Sequence, residues 1–196
     1  MIVSAAAELM HEHGIAHTSL DDVLAHSGAG KSQLYHYFAN KRELVAAVIS
    51  HQLSAVIEGQ PRLTQLTSWG DFDRWATAFV SRHEGIGGPR ACRLGRFAAE
   101  VDDDPELSGL LLAAFEQWRG HLQRGLEHLR DTGRLDPAAD PEALSTGLLA
   151  ALQGGIVLAR LAGDAEPLRR SLALALDGLR AHARTPGSRR RAAGTA

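Results

Sequence analysis

Apolar residues in this chain recur at three- and four-residue steps almost throughout, and two-residue alternation is nearly absent, which predicts helices and no strand. Val3, Ala6, Ala7 and Met10 form one face of a first helix, and Gly14 is placed to end it by supplying a left-handed residue after the last turn. Thr18 or Ser19 caps a short second helix. Its first turn carries Asp21 and Asp22 at the positive end of the helix dipole, and Leu20, Val23 and Leu24 face inward. Gly28 breaks it. A third short helix spans Lys31 to Tyr37, and Asn40 with Glu43 three positions later makes a capping-box-like start for a long fourth helix. The stripe Leu44, Val45, Val48, Ile49, Gln52, Leu53 and Val56 leads to a break at 59–61, where a first domain is expected to end.

The remainder reads as a helical bundle. Phe72, Trp75, Ala76, Phe79 and Val80 make one stripe, 85–89 a loop, and Leu94, Phe97, Ala98 and Val101 a second stripe. Asp104 before Pro105, Asp140 before Pro141 and Glu166 before Pro167 each put proline in a first turn, where its missing N–H costs nothing. These open helices expected to reach about Arg130, Ala162 and His182. Leu144, Leu148, Leu149, Leu152, Ile156, Val157, Leu158 and Leu161 cannot share a single stripe, so the helix at 141–162 needs two partners. A core neighbour and a symmetry mate supply them if helices at about 141–162 and 167–182 form a homodimer interface; a central helix in a monomeric bundle is the alternative. Gly154 and Gly155 either allow a close crossing or mark a kink. The expected division is therefore 1–60, 61–184 and a tail at 185–196. That tail's Pro, Gly, Ser, Arg and Ala composition reads as disordered, with Arg189, Arg190 and Arg191 solvated or touching phosphate.

Composition narrows the class. At 196 residues the chain can bury a core without disulfides, and its one cysteine, Cys92, can form no intrachain bridge and reads as a buried thiol in a reducing compartment. The apolar runs 148–152 and 156–158 are interrupted by Gln153, Gly154 and Gly155 and are expected to fall short of a membrane span. Glu8, His11 and Glu12 interrupt the first apolar run and no basic leader precedes it, so no signal peptide is expected and the cytoplasm is the expected location. Charge does not suggest nucleic acid. Residues 1–60 set Glu8, Glu12, Asp21, Asp22, Glu43 and Glu58 against Lys31, Lys41 and Arg42.

The motif at 18–41, T-S-L-D-D-V-L-A-H-S-G-A-G-K-S-Q-L-Y-H-Y-F-A-N-K, says otherwise. Two short helices joined by a tight glycine-containing turn, then a cap into a long helix, make a helix-turn-helix. A helix enters the major groove only if it is short, exposed on one side and braced behind, so Leu34 and Phe38 should anchor while Lys31, Ser32, Gln33, Tyr35, His36 and Tyr37 face outward. The segment resembles the TetR/AcrR family of transcriptional regulators, whose motif has the form G-V-S-K-x-x-L-Y-x-H-F-x-x-K. Gly28, Lys31, Leu34, Tyr35, Phe38 and Lys41 match it, and residues 5–24 look like the family's first two helices. Ala29, Gly30 and Tyr37 depart from the usual valine, serine and histidine, leaving Gly30 to start the recognition helix. The resemblance implies phosphate contacts by Lys31, Tyr35, Tyr37 and Lys41, and places Ser32, Gln33 and His36 near bases. Thr18 and Ser19, at a helix N-terminus, could hold phosphate through hydroxyl and amide. Tyr35 and Tyr37 packed beneath the helix, and His36 merely exposed, are the alternatives.

Two patterns are decoys. Residues 25–32 satisfy a relaxed phosphate-loop pattern, yet they follow a helix rather than a buried strand, and no strand ending in Asp follows to hold magnesium. His11 and His13 point to different faces of one helix; His121 and His128 share a face but lack a third ligand. No cofactor, metal or enzymatic constellation is expected.

Trp69, Phe72, Trp75, Phe79, Phe97, Phe115 and Trp118 concentrate the aromatics in the middle of the second region, where a pocket would lie. The resemblance implies that it binds a small hydrophobic or aromatic effector. Phe72, Trp75, Phe79, Phe97, Phe115 and Trp118 are the candidate lining, with His83 and Gln153 as polar anchors. The stretch 91–100 and the E-P-L-R run at Glu166 look like the subgroup of the LmrA and YxaF repressors. The expected mechanism is a two-state dimer whose recognition helices sit about 34 Å apart on double-stranded palindromic operator DNA in one state. Effector binding, pushing the fourth helix, favours the other. Coupling of about 1–3 kcal/mol would change DNA affinity roughly 5- to 150-fold. A helical dimeric small-molecule-binding protein without DNA function is the competing reading.

Overall fold

The computed structural model describes residues 1–84, 88–89 and 91–184. It is all helical, and the described residues contain no strand beyond an isolated bridge between Leu135 and Ala183. The order is α1 (Ile2–His13), α2 (Leu20–Ser27), α3 (Lys31–Tyr37), α4 (Lys41–Glu58), α5 (Trp69–Ser81), a 3₁₀ segment (Gly95–Glu100), α6 (Pro105–Asp131), α7 (Pro141–Ala162) and α8 (Glu166–Arg180).

Local signals start these helices as the chemistry requires. Ser19 caps α2 reciprocally with Asp22: the Ser19 hydroxyl accepts from the Asp22 amide at 3.1 Å and the Asp22 carboxylate accepts from the Ser19 amide at 2.8 Å. Asn40 accepts from the Glu43 amide at 3.0 Å to open α4, while Glu43 reaches back to the Ala39 amide at 2.8 Å. Asp104 and Asp140 cap α6 and α7 ahead of their prolines. At α8 the carboxylate of Asp164 does this work, accepting from the Glu166 amide at 3.0 Å, and the helix ends at Arg180 rather than His182.

Helices α1 and α4 pack together with α2 at one end of the molecule, α4 continues against α6, and α7 and α8 form an extensively packed pair against α6 and α5. Buried residues from Ile2 in α1 to Leu179 in α8 join in one continuous core. Gly125 and Gly155 are where backbones approach: a Cβ on Gly125 would lie 2.7 Å from the Leu66 Cβ, and one on Gly155 would lie 3.0 Å from the Leu168 Cα. The glycine pair in α7 is thus a close crossing at Gly155, and the helix runs through it unbroken.

Four expectations are corrected. Because α7 is continuous, its 22 residues are long and apolar enough to cross a membrane on length and composition alone; 39% of its most apolar stretch is buried within this fold, and it does not point to a membrane. Gly14 has φ 91° but ψ 161°, so it is not a left-handed terminator; its missing side chain makes room for Glu100, whose carboxylate a Cβ would meet at 2.8 Å. The 94–101 stripe forms a 3₁₀ segment, in which three residues per turn bury Leu94 and Phe97, with Val101 beneath, and turn Ala98 outward. Leu20 and Leu24 of α2 are only half-buried, leaving Val23 as its buried residue. The loop at 85–89 and the tail at 185–196 lie wholly or mainly outside the described residues.

Candidate nucleic-acid interface and ligand cavities

Helix α3 is held by one fully buried residue, Leu34, with Phe38 half-buried behind it. Gly30 starts it in an extended conformation (φ −72°) without a side-chain cap, and no atom lies within 4 Å of where its Cβ would be. Lys31, Ser32, Gln33, Tyr35, His36 and Tyr37 are all exposed, Tyr35 by 47% and Tyr37 by 63%, so neither tyrosine packs beneath the helix. Lys31 lies over the Tyr35 ring at 6.0 Å and His36 meets Tyr37 edge-on at 5.0 Å, which groups these side chains into one polar-aromatic surface.

The remaining cations near this surface are committed differently. Lys41 is half-buried with Nζ 3.4 Å from the Ala16 carbonyl. Arg42 turns toward the start of α6, pairing with Asp104 at 2.8 Å and Glu106 at 2.9 Å. Ser19 stays at the exposed N-terminus of α2, its hydroxyl engaged with Asp22. Thr18 is buried and donates its hydroxyl to the Gly14 carbonyl at 2.8 Å and its amide to that of Ile15 at 3.3 Å, so it positions the α1–α2 turn from within.

Contacts that local sequence patterns do not reveal fasten this end to the rest. Glu100 accepts from the amides of Ile15 and Ala16, and Arg96 donates to the Glu12 carbonyl at 3.1 Å. The 3₁₀ segment therefore grips the turn leading into α2. Burial, reinforced by the positive charge of Arg93, Arg96 and Arg160, holds the His11 imidazole below its ordinary pKa.

Two cavities flank Cys92. The larger, about 470 Å³, lies between the 3₁₀ segment, α6 and α7 and includes Arg96, Phe115, Gln153 and Arg160. The smaller, about 380 Å³, includes Phe79, Arg82, His83, Arg93 and Trp118; Ala91, Cys92 and Ile156 line both. Of the candidate lining, Phe115 and Gln153 thus face one cavity, and Phe79, His83 and Trp118 the other. Phe72, Trp75 and Phe97 line neither and fill the core, with the Trp75 indole donating to Gln60 Oε1 at 3.0 Å. Gln153 reaches Cys92 Sγ at 3.5 Å, and burial pushes the Cys92 thiol up in pKa, which disfavours the thiolate needed for a nucleophile. Among the described residues no cluster of His, Cys, Asp or Glu is arranged to hold a metal ion.

A short exposed helix braced by one buried leucine, followed by an all-helical second region, is the layout of a class of regulator, and comparison with known proteins agrees. Residues 2–48 match the model of bacterial regulatory proteins of the tetR family, and residues 71–175 match that of the tetracyclin repressor-like C-terminal domain. The chain belongs to the tetR family of transcriptional regulators. It is 26% identical to the transcriptional regulator AcuR of Cereibacter sphaeroides over 85% of this chain and 78% of that protein. It is 23% identical to the HTH-type transcriptional repressor DhaR of a Mycobacterium species, over 91% and 90%. The crystal structure of a regulatory protein TetR from Rhodobacter sphaeroides superposes with a TM-score of 0.75 at 20% identity, covering 93% of this chain and 97% of that one. Neither AcuR nor DhaR bears the name of the LmrA and YxaF subgroup, so the likeness shown is to the family as a whole.

Proposed function

We propose that this protein is a cytoplasmic repressor that binds palindromic operator DNA as a homodimer and is released by a small-molecule effector, without enzymatic activity. The observation that carries the reading is α3: Leu34 is fully buried while the six polar and aromatic residues around it are exposed on a helix short enough for the major groove. Lys31, Tyr35 and Tyr37 are suited to phosphate, and Ser32, Gln33 and His36 to base edges, with Gly30 allowing close approach at the helix start. Ser19 and the α2 N-terminus offer backbone amides to phosphate, and Lys41 a cation at shorter reach.

The exposed outer faces of α7 and α8 support the pairing. Val157, Leu158, Leu161 (80% exposed) and Leu174 (77%) are large apolar groups facing solvent in one protomer, and a second copy would bury them. Effector response has a physical route, because the wall of the larger cavity and the grip on the α1–α2 turn are one 3₁₀ segment. An effector seated there displaces Arg96 and Glu100 relative to Glu12 and Ile15, and with them the orientation of α3.

Selection of bound sequences from random duplex DNA tests the reading. A recovered palindrome whose half-sites match two α3 helices supports it; no enrichment even at low salt removes it and leaves a helical ligand-binding protein.

A further inference from the structure

The two cavities share an electrostatic feature that their aromatic lining conceals. Arg82 and Arg93 line one and Arg96 and Arg160 the other, yet no Asp or Glu lines either. Among the described residues none of these four arginines is within ion-pair distance of a carboxylate, although Arg42, Arg74, Arg119, Arg169 and Arg180 all are. The residues outside the described range contain no Asp or Glu side chain.

Two of the buried donors left without a partner belong to residues lining these cavities. Arg96 Nε is buried without an acceptor, and Trp118, 1% exposed and part of the smaller cavity's wall, has a buried indole N–H with none. A buried polar group ordinarily finds a partner, and one that does not marks a place where an unseen acceptor fits. The His11 imidazole, held below its ordinary pKa first by burial and then by the charges of Arg93, Arg96 and Arg160, shows that these three guanidinium groups act on one region.

Around the larger cavity's arginines stand Phe115, Ile156, Val157 and Leu161, an apolar surface for the rest of a ligand. We infer that the effector is an amphipathic organic anion, with its carboxylate or phosphate head held by Arg96 and Arg160 and its apolar body lying against Phe115, Ile156 and Val157. Guanidinium groups suit both heads, since each can accept paired N–H bonds. This rests on the effector-responsive reading above and gives that site its ligand class. It also gives the effector a lever: a head group competing for Arg96 weakens its bond to the Glu12 carbonyl, at the end of α1.

Calorimetric titration of the whole chain at neutral pH, with octanoate, octyl phosphate, octan-1-ol and octylammonium, keeps the apolar body constant while changing the head. At least one of the two anions should bind roughly tenfold or more tightly than the alcohol, and the amine weakest, because charge-assisted bonds to guanidinium are much stronger than neutral ones. Arg160→Gln should erase most of that preference, weakening the anions far more than the alcohol. Its side chain makes no hydrogen bond or ion pair among the described residues, so it serves where Arg96→Gln, which loses the Glu12 contact, fails to fold. Alcohol binding as tight as either anion, a preference that survives Arg160→Gln largely intact, or no binding by any of the four would each overturn the anion assignment. None of these outcomes touches the operator reading, which the DNA selection decides separately.

Discussion

The shortage of positive charge on the DNA-facing end makes a quantitative prediction about salt. Residues 1–60 carry three cations, Lys31, Lys41 and Arg42. Arg42 is already paired with Asp104 and Glu106, which leaves Lys31 and the half-buried Lys41 to neutralise phosphates. Two protomers then displace about four counterions, and the slope of log K against log salt concentration should be about −3.6, since each neutralised phosphate contributes about −0.9. Between roughly 50 and 200 mM salt, affinity should fall only about 150-fold, where proteins making 6–10 phosphate contacts lose about 10³- to 10⁵-fold. Contacts by backbone amides, hydroxyls and tyrosines add affinity without adding to this slope. Fluorescence anisotropy on the selected operator across a salt series at mildly alkaline pH, where imidazoles as a class are neutral, measures it directly. Lys31→Ala should reduce the magnitude of the slope by about 2, and Arg42→Ala should leave it unchanged. A wild-type slope steeper than about −6 would refute the reasoning, because cations elsewhere, such as Arg189 to Arg191, would have to reach the duplex.

Three further outcomes follow from named contacts. Glu100→Ala removes the acceptor for the Ile15 and Ala16 amides; it should lower stability by about 1–2 kcal/mol and shrink the effector's influence on DNA affinity, as anisotropy with and without effector would show. Gly125→Ala forces a Cβ against Leu66 and Phe72, and after the gain in helix propensity it should still cost about 1–2 kcal/mol, seen as a lower midpoint in urea; an unchanged midpoint means Leu66 yields freely. Asp71 holds its pKa well below the ordinary carboxylate value, chiefly through the Ser68 hydroxyl and then through Thr67 and Arg74. An acid depressed in the folded state adds stability that is fully present above its unfolded value. That stability is lost as pH falls from about 4 toward the lower folded value. Asp71→Asn should therefore flatten the acid limb of a melting-temperature profile while leaving its slope near neutrality unchanged.

Most of the helices were legible because nearby residues announce them: an apolar repeat, joined in α2, α4, α6 and α7 by a side-chain cap, lies within one or two turns. The choice between Thr18 and Ser19 was not, since either hydroxyl can cap; the Gly14 carbonyl settles it by engaging Thr18 from within the fold. Nor was the 3₁₀ geometry at Gly95–Glu100, because steps of three and four residues in so short a stripe suit either helix type. The inside and outside of α3 could be read residue by residue, as Leu34 alone among seven positions had to be buried. The cavities could not. Ring size leads one to expect burial for Phe72, Trp75 and Phe97 as for the half-buried Phe115, but not whether a ring meets another ring or an open space. The arginines around those spaces are scattered along the sequence as ordinary charged positions, and the Arg96 and Glu100 contacts span more than eighty residues, beyond any local periodicity.

Gly154, Val157 and Leu161 serve two surfaces at once: they line the larger cavity and stand on the solvent-facing side of α7. In the proposed dimer, occupying that space and bringing two protomers together across α7 draw on the same atoms, so each equilibrium shifts the other by an equal factor. Apparent effector affinity should consequently drift with the total concentration of the regulator, by mass action, in a way that a site sealed inside a single chain never would.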